Sequence, residues 1–450
     1  MLTNTLLCGL PACLGAGRQD ESSPKAVDSS AASPCLSAES PACCMDDVVT
    51  RTGLCVSEYQ PTYFYDDETI RRRLRLYREA GFRTIRVETY WLSIEPEEGQ
   101  IVEPVQARYF RLAKEEGFRF KLILGTLMGV PQWYFQKYPD SRMVDQNGRK
   151  ATTSVSYFAP GLRGHLTDAL DHMMRFMQEN GLLDVTDTLV VDGGQAGEPL
   201  YPPAWTQGAG LDGPAGEEVF WGYDGYSQEN FRQTVQTKYG TIAAANAAWG
   251  RSYGSFDEVE VPKPGGPGGG IWADYLTWYR DAKRQIVREQ MDMYQAAVDQ
   301  YTGGRVRLLQ YLPGFDMRDE QWEKALLEGD GDGWVRLMPD NRYLIDLAKE
   351  RGCWLQFTGF ETAAETHHLR EYMDASGAGD IPFFGENAGG YNVVKNCGEA
   401  FSILYTDRLA GIDVTHARFL LKEDNITPCD NFDEFRKAME RLRDYQRKGC

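Results

Sequence analysis

Two glutamates stand where this chain could do chemistry. Glu198 follows the short apolar run Leu189-Val190-Val191, which breaks at Gly193-Gly194, and it lies in a loop closed by Pro199 and Pro202. Glu386 follows a second short run, Ile381-Pro-Phe-Phe-Gly385. Short apolar runs bounded by turn residues read as buried strands. A charged residue just past the carboxyl end of a buried parallel strand is where α/β barrels place their chemistry. Two such carboxyls suit cleavage of a glycosidic bond, one protonating the leaving oxygen while the other activates water or attacks the anomeric carbon. The alternative is a pair of loop carboxylates bound to nearby arginines. Their shared position at strand ends favours catalysis by Glu198 and Glu386.

The elements that must position them begin near Thr52, where short apolar stretches start to alternate with amphipathic ones, the pattern of a parallel α/β fold. Strands are predicted at 52–59, 84–91, 121–127, 189–192, 306–312, 354–360, 381–384 and 412–415, the last continuing towards Leu420. Helices are predicted at 67–80, 102–116, 162–180, 230–239, 275–301, 342–351, 395–408 and 432–446. Eight strand–helix units in roughly 400 residues favour a closed (β/α)8 TIM barrel over an open sheet. No GxGxxG or P-loop pattern follows any strand, which argues against a nucleotide site. A long insertion after strand four, about 199–273, carries Trp205, Trp221, Tyr223, Tyr226, Trp249 and Tyr253 and would wall the mouth of the barrel; a lesser one, 129–160, follows strand three.

Composition bounds the partners. The 450 residues are 42% hydrophobic, 25% charged and 12% aromatic, which is the profile of a globular protein. The net charge of −18 argues against nucleic acid and anionic membranes and fits a neutral substrate. No 18-residue apolar run offers a transmembrane helix. The 10 Cys form no CxxC pair, there are only 5 His, and the adjacent His367 and His368 would point apart on a helix, so neither a metal nor any other cofactor is implied. Cys353, inside an apolar stretch, reads as a core residue. Residues 1–45 stand apart. Leu6–Leu14 is mildly apolar but has no basic residue before it, and Ser, Ala, Pro and acidic residues dominate up to Ala42, so an unstructured or leader tail is expected there and the barrel over 46–450. Whether the protein is secreted or cytoplasmic, and its oligomeric state, are left open.

Several segments resemble known glycosidases. Gly194-Gln-Ala-Gly-Glu198-Pro-Leu-Tyr-Pro202 is similar to the segment of the β-amylases, glycoside hydrolase family fourteen, that holds their general acid, and Gly385-Glu386-Asn387-Ala388 is similar to the segment that holds their general base. Phe357-Thr358-Gly359-Phe360-Glu361 resembles the family's inner-loop segment, and Val87-Glu88-Thr89-Tyr90-Trp91 resembles its strand-two run. The resemblance implies a (β/α)8 barrel with Glu198 as acid and Glu386 as base, and substrate contacts at Glu88, Thr358 and Arg418; Asn387 joins these candidates from the base segment. The family's His-rich loop after strand three is absent here, and Tyr311-Leu-Pro-Gly-Phe315 replaces its His-Trp-Trp run. Other stretches resemble the family forty-two β-galactosidases: Leu124-Gly-Thr126 through Trp133, Val144 through Arg149, and Phe231 through Gly250.

Trp91, Trp133, Tyr201 and Trp205 are candidate platforms for sugar rings, with core or loop packing as the alternative. Glu361 is a candidate third carboxylate of the site. Tyr391 and Asn392 could bind substrate hydroxyls or cap the next helix. The expected function is β-amylase-like exo-hydrolysis of α-1,4-glucan with inversion. The alternatives are a retaining β-galactosidase-like exo-glycosidase and a carbohydrate-binding barrel without turnover.

Overall fold

Eight short parallel strands close on themselves in the computed structural model, which describes residues 47–58, 64–194, 197–203 and 218–448. They are β1 (Leu54–Ser57), β2 (Thr84–Tyr90), β3 (Arg119–Gly125), β4 (Thr186–Val190), β5 (Arg307–Leu312), β6 (Trp354–Phe357), β7 (Phe383–Glu386) and β8 (Gly411–Val414). Each pairs with its neighbours in chain order, and β8 returns to β1 through Leu54↔Ile412. A helix follows every strand: α1 (Asp67–Ala80), α2 (Ala107–Glu115), α3 (Leu162–Glu179), α4 (Gly270–Thr302), α5 (Asn341–Arg351), α6 (Ala363–Ser376), α7 (Cys397–Thr406) and α8 (Phe432–Lys448). This is the expected (β/α)8 TIM barrel.

The local causes are visible in α1. The Asp66 side chain accepts the N–H of Thr69 at its start, and Gly81 ends it at φ 111°. Between them Ile70, Leu74 and Tyr77 recur at helical spacing and are fully buried against the barrel. Along the strands the period is two. One face of each strand packs under the helices and the other fills the barrel. Part of the interior is apolar, with Ile123, Val190, Leu309, Tyr311, Trp354 and Phe384 in one cluster.

Several boundaries differ from the expected ones. The sixth strand stops at Phe357, because Gly359 leaves the sheet to pack directly on Gly314. The seventh runs through Glu386, so this carboxylate sits on the strand itself, paired Asp413↔Glu386, instead of in the following loop. Residues 417–420 form a 3-10 turn and not a continuation of β8. The helix expected from 102 begins only at Ala107, after Pro104, since proline disfavours helical geometry in the residue before it. Helix α6 had no expected counterpart. In the long insertion, Gly225–Tyr239 and Ile242–Trp249 are helices, and Trp221 and Trp249 are buried in its packing instead of lining a cleft. Cys353 is a buried, free thiol. Residues 1–45, and with them the expected tail, lie outside the described residues, as does Trp205. Among the described residues no helix is long and apolar enough to cross a membrane.

Candidate active site

The loop after β4 carries Glu198, and its shape depends on two glycines. A Cβ on Gly193 would lie 2.6 Å from the Cα of Pro199, so the two arms of the loop touch there. Gly197, immediately before the carboxylate, is at φ 80°, a conformation that costs a residue with a side chain. Buried charges hold both ends of this loop. Asp192, at its start, accepts the N–H groups of Leu127 at 2.7 Å, Met128 at 3.2 Å and Gly194 at 3.0 Å, tying it to the end of β3. Lys283, from the middle of α4, donates to the carbonyl of Gly193 at 2.8 Å, the carbonyl of Leu200 at 2.7 Å and the hydroxyl of Tyr157 at 3.0 Å. Its ammonium thus bridges residues on both sides of Glu198. Burial brings the Lys283 pKa down to about 7, against the charge of Asp192.

The Glu198 carboxyl itself meets neutral donors, the hydroxyl of Thr358 and the N–H of Gly314. Burial raises its pKa to about 7, which these two bonds only partly oppose. Thr358 follows β6 and Gly314 follows β5, and the two loops meet at the Gly314–Gly359 contact. The carbonyl of Leu312, 3.2 Å from the Thr358 hydroxyl, is the alternative acceptor for its single proton.

Glu386 has different company. It is 4% exposed, accepts from Arg86 Nη1 at 3.0 Å, and is bonded by the Gln356 amide. Gln356 accepts from the Lys121 ammonium through its other atom. Since an ammonium only donates and a carboxylate only accepts, Lys121 sets the amide so that its NH2 faces Glu386. Lys121 in turn binds Asp413 at 3.1 Å, and Asp413 accepts the Ser57 hydroxyl at 2.8 Å. These groups are buried and come from β1, β2, β3, β6, β7 and β8. Burial raises the Glu386 pKa to about 7; Arg86 and Lys121 pull it down, while the charges of Asp413 and Glu198 push it up. Gln356, which bonds Glu386, and Thr358, which bonds Glu198, lie two residues apart at the end of β6, so the two carboxyls face one site. Asp413 stays below the ordinary carboxylate range, because Lys121, Arg86 and Ser57 outweigh its burial.

The other candidates divide. Glu88 lies two residues past Arg86 on β2, hence on the same interior face, and pairs with the interior residue Ile123. Glu361 is joined to the base segment, its carboxylate accepting the N–H of Ala388 at 3.0 Å, and burial brings its pKa to about 7. Asn387 is buried and spans the ends of β7 and β8, donating to Thr415 Oγ1 at 2.8 Å and accepting the Thr415 N–H at 2.9 Å; it holds the backbone beside Glu386 instead of facing substrate. Arg418 places its guanidinium over the Phe419 ring, 5.5 Å from the centroid.

Two expected sugar contacts are corrected. Trp91 is 0% exposed, wedged among Trp133, Tyr134 and His165, with its N–H donated to Glu95 at 2.7 Å. Tyr201 is stacked on Tyr279 at 3.8 Å and donates its hydroxyl to the Tyr279 carbonyl at 2.8 Å. Neither ring has a face to offer. Trp133 is half-buried against Trp91, and Asn392 caps the chain by accepting the Lys395 N–H at 3.0 Å. Tyr391 is half-buried, its hydroxyl 3.3 Å from Glu399.

Arg86, Lys121, Gln356, Asp413, Asp192 and Lys283 were not among the expected site residues. The signal for two of them was the period of two, which leads from Glu88 back to Arg86 and from Thr358 back to Gln356.

Comparisons with known proteins bear on the family and the fold. Residues 63–361 match the sequence model of glycosyl hydrolase family 14, a span that contains Glu198 and Thr358 and ends at Glu361, before Glu386. The chain is 25% identical over 237 residues to a β-amylase of Niallia circulans, covering 48% of this chain and 40% of that one. It is 28% identical over 258 residues to a β-galactosidase of Thermus thermophilus, covering 54% and 36%. It spans less than half the length of these curated relatives. The catalytic domain of a β-amylase from Paenibacillus polymyxa shares the fold with a TM-score of 0.69 at 18% identity, covering 86% of this chain and 98% of that one. A family 42 β-galactosidase from G. stearothermophilus superposes with a TM-score of 0.59 at 15% identity, covering 87% and 56%.

Proposed function

The chain belongs to glycosyl hydrolase family 14, and from that membership we propose that it cleaves an α-1,4-glucan from the non-reducing end with inversion, Glu198 acting as acid and Glu386 as base. The observation that carries the assignment of roles is the unlike surroundings of two carboxyls with similarly raised pKa values. Glu198, half-buried, meets only a hydroxyl and a backbone N–H, neutral donors that offset its desolvation only in part and so favour the protonated form over a wider range. Glu386 meets the Arg86 guanidinium and an amide oriented by Lys121, which favour its ionised form. On these surroundings we assign the first proton lost at neutral pH to Glu386. A protonated Glu198 delivers its proton to the glycosidic oxygen as the bond breaks. An ionised Glu386 draws a proton from the water that attacks the anomeric carbon from the opposite side. The pair ends as Glu198 carboxylate and Glu386 carboxylic acid, and solvent exchange of one proton each way resets it. Thr358 steadies the carboxylate left on Glu198 by continuing to donate to it.

A second reading is retention, with Glu386 as nucleophile. It is favoured by the β-galactosidase-like segments after β3 and in the long insertion, and by the β-galactosidase relatives. Malto-oligosaccharides and aryl β-galactosides, followed by NMR of the first anomer released, separate the two. β-Maltose from an α-glucan, abolished by Glu386→Gln, is the expected result. Galactose released with retained configuration would replace inversion by the second reading. Oligosaccharide binding without cleavage, unchanged in Glu198→Gln, would reduce the protein to a carbohydrate-binding barrel.

A further inference from the structure

The acid loop is tied to one further feature of the mouth. The backbone N–H of Tyr201, three residues past Glu198, donates to the carbonyl of Leu337 at 2.9 Å. Leu337 ends the short helix Gly333–Leu337, which lies between β5 and α5 and carries Trp334. Trp334 is 40% exposed, the most exposed tryptophan among the described residues, and packs on Phe315 with ring centroids 4.0 Å apart. Phe315 follows Gly314, whose N–H binds the Glu198 carboxyl. The two rings therefore reach the acid by two separate routes, through Gly314 on one side and through Leu337 and Tyr201 on the other.

Their seating is rigid. Asn341, fully buried at the start of α5, donates to the carbonyls of Pro313 and Phe315, each at 3.1 Å, and gives its own N–H to Asp316. Asp332 caps the short helix by accepting the N–H of Val335 at 3.1 Å. The Arg336 guanidinium locks it further, donating to the Gly331 carbonyl at 2.8 Å and the Glu218 carbonyl at 2.7 Å. Phe315 packs on the indole, and the remainder of the Trp334 ring is open to solvent. An exposed indole costs hydration unless something apolar covers it, and the C–H face of a pyranose ring does so while its hydroxyls stay in water.

We propose that Phe315 and Trp334 form a preformed aromatic platform for the departing portion of a neutral oligosaccharide. The inference rests on the glycosidase reading of Glu198. The oxygen that Glu198 protonates belongs to the departing sugar, so a surface fastened to the acid loop, and not to the base, meets that side of the scissile bond. Holding that sugar against a fixed ring orients its oxygen to the acid, and the benefit appears in kcat/KM for substrates that have a sugar there.

The test compares Trp334→Ala with the parent on maltopentaose and on α-maltosyl fluoride, whose departing group is fluoride and leaves the platform empty. A fall of about tenfold or more in kcat/KM for the pentaose, with the fluoride unchanged within about twofold, is expected. An equal fall on both substrates would assign Trp334 a purely structural part and overturn the proposal, as would no change on either. Failure of the parent on both substrates would instead count against the α-glucan reading. The platform is then read by calorimetry with maltopentaose and with lactose: binding to the parent that is lost in Trp334→Ala supports it, and its retention or the absence of any binding rejects it. Unchanged melting of Trp334→Ala, whose side chain is exposed, confirms that the fold is intact.

Discussion

Replacing Glu198 by glutamine should abolish hydrolysis and make the protein more stable, by an amount that depends on pH. The Glu198 pKa rises from 4.5 to about 7 because burial disfavours its charge more than Thr358 and Gly314 favour it. A carboxyl whose pKa is higher folded than unfolded binds more protons in the native state, so its contribution to stability is full below pH 4.5 and is lost as pH rises through 7. At about 1.36 kcal/mol per pH unit, the loss is up to about 3 kcal/mol by pH 8. Glutamine keeps the shape and an acceptor for Thr358 and carries no charge, so it escapes this loss. Unfolding entropy of ~2.1 cal/mol/K per residue gives ~0.8 kcal/mol/K for roughly 400 residues, so the variant should melt about 4 °C higher at pH 8. At pH 4.5 the two proteins should melt together. Neutralising Glu198 also removes its charge from Glu386, which acts in the same direction. Thermal melts of both proteins between pH 4 and 8 read the difference directly, and other titrating groups cancel to first order. A difference that stays flat with pH, or that favours the parent increasingly as pH rises, would refute the account of Glu198 as a buried, proton-holding acid.

Arg86→Met should move the acidic limb of the kcat/KM profile. An opposite charge at this range lowers a carboxyl pKa by about 1–3 units, so its loss should shift the limb set by Glu386 up by at least one unit and lower the rate at pH 6 at least tenfold; an unmoved limb would remove Arg86 from the control of the base. Asp413→Ala should destabilise by about 3–5 kcal/mol, because it leaves the Lys121 ammonium buried without its carboxylate; a denaturant midpoint within error of the parent would contradict the buried pair. Lys283→Met leaves the Gly193 and Leu200 carbonyls without their donor, at about 1–3 kcal/mol each if they remain buried. The expected kinetic signature is a kcat reduced ten- to a hundredfold with KM within about threefold, since the loop that aims Glu198 loosens while the rest of the site remains. Equal losses in kcat and in binding would indicate general collapse.

What the amino-acid order revealed of this site, and what it hid, has one physical source. Glu198 and Glu386 stood out because glycine and proline interrupt an apolar run beside each, and interruptions of that kind mark strand ends. The charges beneath them did not, because Lys121 and Asp413 sit inside runs, Lys-Leu-Ile-Leu and Gly-Ile-Asp-Val, that are otherwise apolar. In a barrel both faces of a strand are buried, so an ion can stand within the run wherever another strand supplies its partner, and Lys121 finds Asp413 across the closed interior, 292 residues away. Helix α6 escaped for a related reason: of its buried positions Thr366, Leu369, Arg370 and Met373, two are polar, which blurs the apolar period although the spacing is helical. Trp91 was misplaced because β2 ends at Tyr90 and the chain turns there into a short helix, Trp91–Ile94, which tucks the indole beneath Trp133. Tyr201 lies in a loop where no period applies, and only the Tyr279 ring on α4, a contact spanning 78 residues, decides that it packs. Strand ends are thus local properties and legible. The side a residue faces is legible wherever one neighbour on its strand is known. Its partner across the barrel is set by closure, and closure is a property of the whole chain.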